Sequence, residues 1–192
     1  MSLRNNDRQW GAVAKFFHWT MALGILGNGV FGLMMDLAHS PMQKINWLAI
    51  HKSIGLTLLA LFLLRLLWRM ADRQPPPEPG PRWQRLAARL THATLYLLMA
   101  AMPLSGWWFN SLAGKPLQWF KQFNLPALVS RNDELTHLAH GAHETLFWLL
   151  ILVLVAHVGA ALKHHLVDND DVLRRMLPFK RPGSGSTAEG DH

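Results

Sequence analysis

Four apolar blocks separated by polar stretches set the pattern of this 192-residue chain. The first, Phe16 to Met35, carries no formal charge and stops at Asp36. The second runs from about Ile50 to Trp68, the third from about Leu90 to Phe109, and the fourth from about His140 to Leu162. A helix of ~20 apolar residues crosses a hydrocarbon core of ~30 Å. The pattern therefore predicts an all-α integral membrane protein, a four-helix transmembrane bundle. It divides the chain into an N-terminal segment (1–15), a membrane domain (16–166) and a basic tail (167–192) whose last ten or so residues are expected to be disordered.

The polar stretches refine this. Asp36 to Leu48, with Pro41 and Trp47, reads as a short connection. Gln74 to Pro81 (Gln-Pro-Pro-Pro-Glu-Pro-Gly-Pro) reads as a linker, because proline removes a donor and breaks helices. Arg82 to Arg89 reads as a basic interfacial helical turn, and Pro103 as a kink in the third block. Ser111 to Leu138 is the longest connection, and some short helix is expected there. Gly24, Gly27, Gly29 and Gly32 would let another helix or a flat ring approach the first span closely. Met1 to Ala14 is too polar to read as a signal peptide.

Charge orients the bundle. With four spans the two termini share a side. On that side fall Arg4, Arg8 and Lys15, then Arg65, Arg69, Arg73, Arg82, Arg85 and Arg89, then Lys163, Arg174, Arg175, Lys180 and Arg181. The other side holds only Lys44, Lys52, Lys115, Lys121 and Arg131. The basic-rich side is expected to be cytoplasmic, so both termini are too. The net charge of +7 is then membrane topology rather than a nucleic-acid footprint. The absence of cysteine excludes disulfides, thiolate catalysis, iron–sulfur clusters and covalent c-type haem attachment.

Topology sorts the histidines by depth. His18 starts span 1 near the inner surface, and His51 starts span 2 near the outer one. In the fourth block His143 and His157 are fourteen positions apart. That is ~21 Å along a helix and ~40° short of four turns, so both lie on nearly one face at opposite depths. His18 matches His157 in depth, and His51 matches His143. Facing neutral imidazoles can hold a haem iron from both sides, which favours electron transfer over oxygen binding. His92 competes for the inner position; His137 and His140 compete for the outer one. His137, His140 and His143 at three-residue steps fan too widely around a helix for a good zinc site.

The residues also resemble a known family. Phe17-His18-Trp19, Ile50-His51-Lys52-Ser53-Ile54-Gly55, Arg65-Leu-Leu-Trp-Arg69, His92 to Tyr96, Pro103-Leu-Ser-Gly106, the His143-Glu144 to His157 unit, Ala160 to His165 and Asp168 to Pro178 are similar to the bacterial cytochrome b561 family. The resemblance covers Phe16 to about Leu177. It implies a four-span cytochrome of the bacterial inner membrane with two non-covalent haem b groups, on the ligand pairs His18/His157 and His51/His143. It also implies electron exchange with a membrane quinone, ubiquinone being the expected one. One branch of the family resembles a superoxide oxidase, which would oxidise superoxide at the outer face.

Secondary candidates surround these four. Arg65, Arg69 and Arg89 could hold haem propionates, as guanidinium pairs carboxylates bidentately, or could serve only as inner-face anchors. Lys52 could hold an outer propionate or attract superoxide, or could simply snorkel. His164 and His165 could line an inner quinone or propionate site. Two other functions compete. A haem-bearing anchor subunit of a larger dehydrogenase or hydrogenase would share the same histidines. A metal-ion or proton transporter would place carboxylates within spans, whereas Asp36, Glu144 and Asp168 lie at span edges.

Overall fold

The structure, a computed structural model, describes residues 2–7 and 9–178. Arg8, Lys180, Arg181 and the end of the tail expected to be disordered lie outside the described residues. Four long helices dominate: α1 (Ala12–Leu33), α2 (Pro41–Ala71), α3 (Arg82–Leu112) and α4 (Asp133–Leu166). A 3-10 turn, Met34–Leu37, extends α1. Two short strands, β1 (Leu117–Trp119) and β2 (Phe123–Leu125), pair antiparallel between α3 and α4, with Leu117 opposite Leu125.

The helices outrun the apolar blocks because capping, and not hydropathy, sets their ends. Ser40 caps α2 by accepting from the Gln43 amide, with Pro41 as the first helical residue. The missing N–H of a proline costs nothing there. Most of the stretch expected to be a connection is thus helix. Asn132 caps α4 in the same way through the Leu135 amide. Asp133 and Glu134 occupy the first turn of α4, and Lys163, His164 and His165 the last, each matching the helix dipole. Arg82 to Arg89 is the first part of α3, and the helix continues through Pro103.

The short helix expected within 111–138 is instead the β1–β2 hairpin. Its turn places Phe120 and Lys121 at φ of 43° and 61°. The Gln122 amide closes it by donating to the Trp119 carbonyl at 2.9 Å. The hairpin is pinned to α2: the Phe120 amide donates to Ser53 Oγ at 2.8 Å, and Trp119 Nε1 to Thr57 Oγ1 at 3.0 Å.

Helix α1 packs along α2, and α3 along α4; the two pairs meet mainly through α2 and α3, while α1 and α4 make almost no close backbone contact. Three helices (α1 with its 3-10 extension, α2 and α4) are long and apolar enough to cross a membrane. Helix α3 has the length but falls short in hydropathy, since it carries His92, Tyr96, Pro103 and Ser105. In each of those three only 6% of the most apolar window is buried. Leu23, Leu63, Leu67, Leu97, Leu152 and Val155 all point outward. So much outward apolar surface requires lipid around the bundle. The chain is a mostly helical, multi-pass membrane protein.

Three polar segments meet at one end. Asn5 is buried there: its amide donates to Asp72 Oδ2 at 3.0 Å, its Nδ2 to the Arg73 carbonyl at 2.6 Å, and its Oδ1 accepts from the Gly11 amide at 2.7 Å. From the tail, Arg175 pairs with Glu78 at 2.8 Å and donates to the Pro76 carbonyl, while the Met176 carbonyl accepts from Trp19 Nε1 at 2.9 Å. The start of the chain, the α2–α3 linker and the tail therefore share one face of the bundle.

Candidate redox centre

Two histidine pairs bridge the gap between the helix pairs. His18 of α1 faces His157 of α4 with ring centres 6.2 Å apart. His51 of α2 faces His143 of α4 at 6.4 Å. Each pair thus takes one ring from the α1–α2 side and one from α4. An iron held between two imidazoles would set the ring centres ~6.2 Å apart, twice the sum of a metal–nitrogen bond of ~2.0 Å and the ~1.1 Å from nitrogen to ring centre. Both pairs fit a metal held from two sides. His92 also reaches the inner cluster, its ring centre 5.4 Å from that of His157. That is nearly an ångström too short for a shared metal, so His92 suits ring packing better than ligation.

The His51–His143 pair, the one expected at the outer side, lines a cavity of about 310 Å³ walled by α1, α2, α3 and α4. His51 Nδ1 lies 3.2 Å from the Asn28 carbonyl oxygen, and His143 Nδ1 lies 2.9 Å from Ser105 Oγ. The glycines of α1 separate by role. A Cβ on Gly24 would meet Leu58 at 2.8 Å, on Gly29 Phe147 at 3.0 Å, and on Gly32 the His51 ring at 3.1 Å; Gly27 has no such neighbour within 4 Å. The close approach expected at Gly27 is therefore not made. His140 packs edge-on against Phe109, and its Nε2 lies 3.8 Å from Glu144. Ser105 and Gly106 also touch the His143 ring, and the Pro103-Leu-Ser-Gly106 stretch is the sequence signal that contains them.

The inner pair sits among charges. The guanidiniums of Arg65 and Arg69 both stack on the Tyr96 ring, at 5.6 and 5.3 Å from its centre. Arg65 lies within electrostatic range of His18, His92 and His157. Lys52, near the His51–His143 pair, donates to Asn110 Oδ1 at 3.0 Å and to the Pro116 carbonyl at 3.1 Å, its two partners among the described residues. At the end of α4, His164 bonds Asp170 at 2.5 Å and lies 3.4 Å from Asp168, which Lys163 also holds. The neighbouring His165 has its Nδ1 buried without a partner.

Comparison with known proteins identifies the family. Residues 9–179 match the family model for prokaryotic cytochrome b561. The chain is 36% identical over 181 residues to cytochrome b561 homolog 2 of Escherichia coli K12, covering 92% of this chain and 95% of that one. Cytochrome b561 homolog 1 of the same organism is also 36% identical, over 68% of this chain and 74% of its own. A protein of Yersinia pestis named probable superoxide oxidase CybB is 33% identical over 75% of this chain and 80% of its own. The chain belongs to the prokaryotic cytochrome b561 family, membrane electron-transfer proteins that carry b-type haem.

Proposed function

We propose that this chain is a dihaem quinone-linked cytochrome of the bacterial inner membrane, with His18 and His157 holding the inner haem b and His51 and His143 the outer one. The observation that carries the reading is the recurrence of one ring spacing, 6.2 and 6.4 Å, at two depths of the same bundle. Haem b, when bound, supplies a one-electron couple whose potential the surrounding residues tune. With both axial positions filled by imidazole, the site is built for electron transfer and not for binding oxygen at iron.

All four helices are taken to span. Helix α3 packs along α4 through its length and so shares its depth. Its low hydropathy has a local cause. His92 faces His157, Tyr96 faces the two arginines, and Ser105 faces His143. These three side chains meet polar or charged partners on neighbouring helices, which offsets the cost of placing them at membrane depth. The membrane domain is 16–166. The face shared by the N-terminal segment, the α2–α3 linker and the tail is the cytoplasmic one, on the balance of lysine and arginine.

Arg65 and Arg69 stand on Tyr96 beside the inner histidines, where guanidinium could pair a propionate. His165, with its orphaned Nδ1, and His164 offer polar partners for a quinone oxygen at the inner end. At the outer end the proposed reaction is one-electron oxidation of superoxide to dioxygen. Two such electrons and two protons convert ubiquinone to ubiquinol. The name of the Yersinia relative and the position of Lys52 and Lys115 in the cavity wall support this half of the reading. Extraction of haem into acidic solvent with parallel iron quantification tests the core claim. Two haems per chain are expected; one per chain in a fully loaded sample would overturn the pairing.

A further inference from the structure

His51 and His143 occupy two copies of one local arrangement. The His51 ring fills the space that a side chain at Gly32 would take: a Cβ there would stand 3.1 Å from Cε1 and 3.4 Å from Nδ1. Its Nδ1 bonds the carbonyl of Asn28, four residues before that glycine. The His143 ring rests on Gly106 with the same two distances, 3.1 and 3.4 Å. Here the carbonyl four residues before the glycine, that of Met102, accepts from Ser105 Oγ at 2.8 Å. Ser105 adds a further contact, its Oγ lying 2.9 Å from His143 Nδ1. A helical side chain covers the turn N-terminal to its own Cα. Leaving it out at residue i opens a path for an imidazole to the carbonyl at i−4.

The tautomers follow from which atoms can donate. The Asn28 carbonyl only accepts, so Nδ1 of His51 carries the hydrogen. Ser105 has a single hydroxyl hydrogen, and its Oγ lies 2.8 Å from the Met102 carbonyl, which also only accepts. With that hydrogen on Met102, Oγ presents a lone pair, and Nδ1 of His143 carries the hydrogen. A neutral imidazole has one N–H. Nε2 is then the lone-pair nitrogen of both rings.

We infer that Ser105, seated beside Gly106, is a positioning residue for the outer centre: it fixes the Nδ1–H tautomer of His143 and thereby presents Nε2 as the ligand atom. The inference rests on the dihaem reading above. Donation from Nδ1–H to oxygen raises the basicity of the ligating nitrogen and favours the oxidised metal. His18 and His157 have no counterpart to these bonds among the described residues, so the effect is confined to the outer site.

The test uses the full chain in detergent with Ser105→Ala and Ser105→Thr. In haem-free protein, magnetic resonance of nitrogen-labelled histidine should show His143 as the Nδ1–H tautomer. It should become a mixture in S105A and return in S105T. In haem-loaded S105A, outer haem retention should fall about tenfold with the inner haem unchanged. The outer midpoint should rise by about 59 mV if the tenfold loss falls on the oxidised state alone. S105T should restore both. An unchanged tautomer and midpoint in S105A overturns the inference. The dihaem reading would survive that result provided His143→Ala still removes one haem, and would fall with the inference if His143→Ala kept both. Should S105A lose both haems, Gly106→Ala presses on the same seat: selective weakening of the outer haem supports the inference, and equal weakening of both overturns it.

Discussion

The outer and inner histidine pairs have nearly equal ring spacing and unlike surroundings. The outer rings are seated: each rests on a glycine, and Nδ1 of His51 bonds the Asn28 carbonyl while Nδ1 of His143 bonds Ser105, itself tied to the Met102 carbonyl. The inner rings are hemmed by His92, Trp19, and a Tyr96 that carries two guanidiniums. The first environment is built from backbone, the second from charge. Under the dihaem reading the two should tune iron in opposite directions. Nδ1–H donation favours the oxidised state at the outer centre, and the arginine charges favour the reduced state at the inner one. The lesson is that a symmetric ligand set can carry a built-in electron gradient, falling from the outer face towards the inner.

The largest effects come from the ligands themselves. His143→Ala should remove the outer haem and leave the inner, and His157→Ala should do the reverse, because the two positions are ~21 Å apart on one helix. Haem-to-chain ratio falling from two to one, with a different residual spectrum in each variant, is the expected result. His92→Ala should keep both haems. Loss of a haem in His92→Ala together with its retention in His18→Ala would hand the inner ligand to α3 and break the comparison.

Glycine substitutions sharpen it. Gly32→Ala brings a Cβ to 3.1 Å of His51, whereas Gly27→Ala meets nothing within 4 Å. The ring must shift by a few tenths of an ångström in the first case and not at all in the second. Outer haem retention should drop about tenfold, the low end of the ~10- to 100-fold range typical of disturbed ligand support, for Gly32→Ala. Gly27→Ala should behave as the parent. Both measurements are haem dissociation rates in detergent; equal rates for the two variants would show that the glycine seat does not matter.

Much of this was legible in the chain. Hydropathy and basic-residue counting set His18 level with His157 and His51 level with His143. Three features were not legible, each for a physical reason. The β1–β2 turn runs through Trp119-Phe120-Lys121-Gln122, which has none of the Gly, Asn or Asp that normally mark left-handed turn residues. Helix α2 begins nine residues before its apolar block because Ser40 and Pro41 cap a polar overhang; the Ser-Pro pair was the available signal. Ser105 acts on a histidine 38 positions away, and no periodicity encodes a contact between two helices. Hydropathy alone also undervalues α3, whose polar residues are the ones turned towards the two centres.

The inner centre can be probed through charge. Arg65→Gln removes a cation within range of His18 and His157. A nearby positive charge favours the reduced state, so its loss should lower the inner midpoint and leave the outer one in place. A two- to tenfold change in the equilibrium is about 20–60 mV for one electron. Spectroelectrochemical titration of the two haems reads this directly. An equal shift at both would mean that the guanidinium field is not confined to the inner end.

The smallest effect concerns the outer mouth. Two of the five outer cations are neutralised in the fold: Lys44 pairs with Asp36 at 2.9 Å and Arg131 with Asp133 at 3.0 Å. Lys52 and Lys115 remain in the cavity wall, and neither forms an ion pair with a carboxylate among the described residues. Counting Glu144 in the same wall, Lys52 and Lys115 leave a positive excess beside His51, while Lys121 stands outside that wall. A small anion such as superoxide would feel it over a Debye length of ~10 Å at 0.1 M salt and much less at 1 M. Haem reduction on stopped-flow mixing with superoxide should slow by about two- to threefold across that range, the modest end of electrostatic steering. Lys115→Gln should flatten the dependence, and a dismutase should abolish the reduction. Reduction that persists with dismutase would assign the electrons to another donor. A salt response identical in Lys115→Gln would move the entry point away from this cavity.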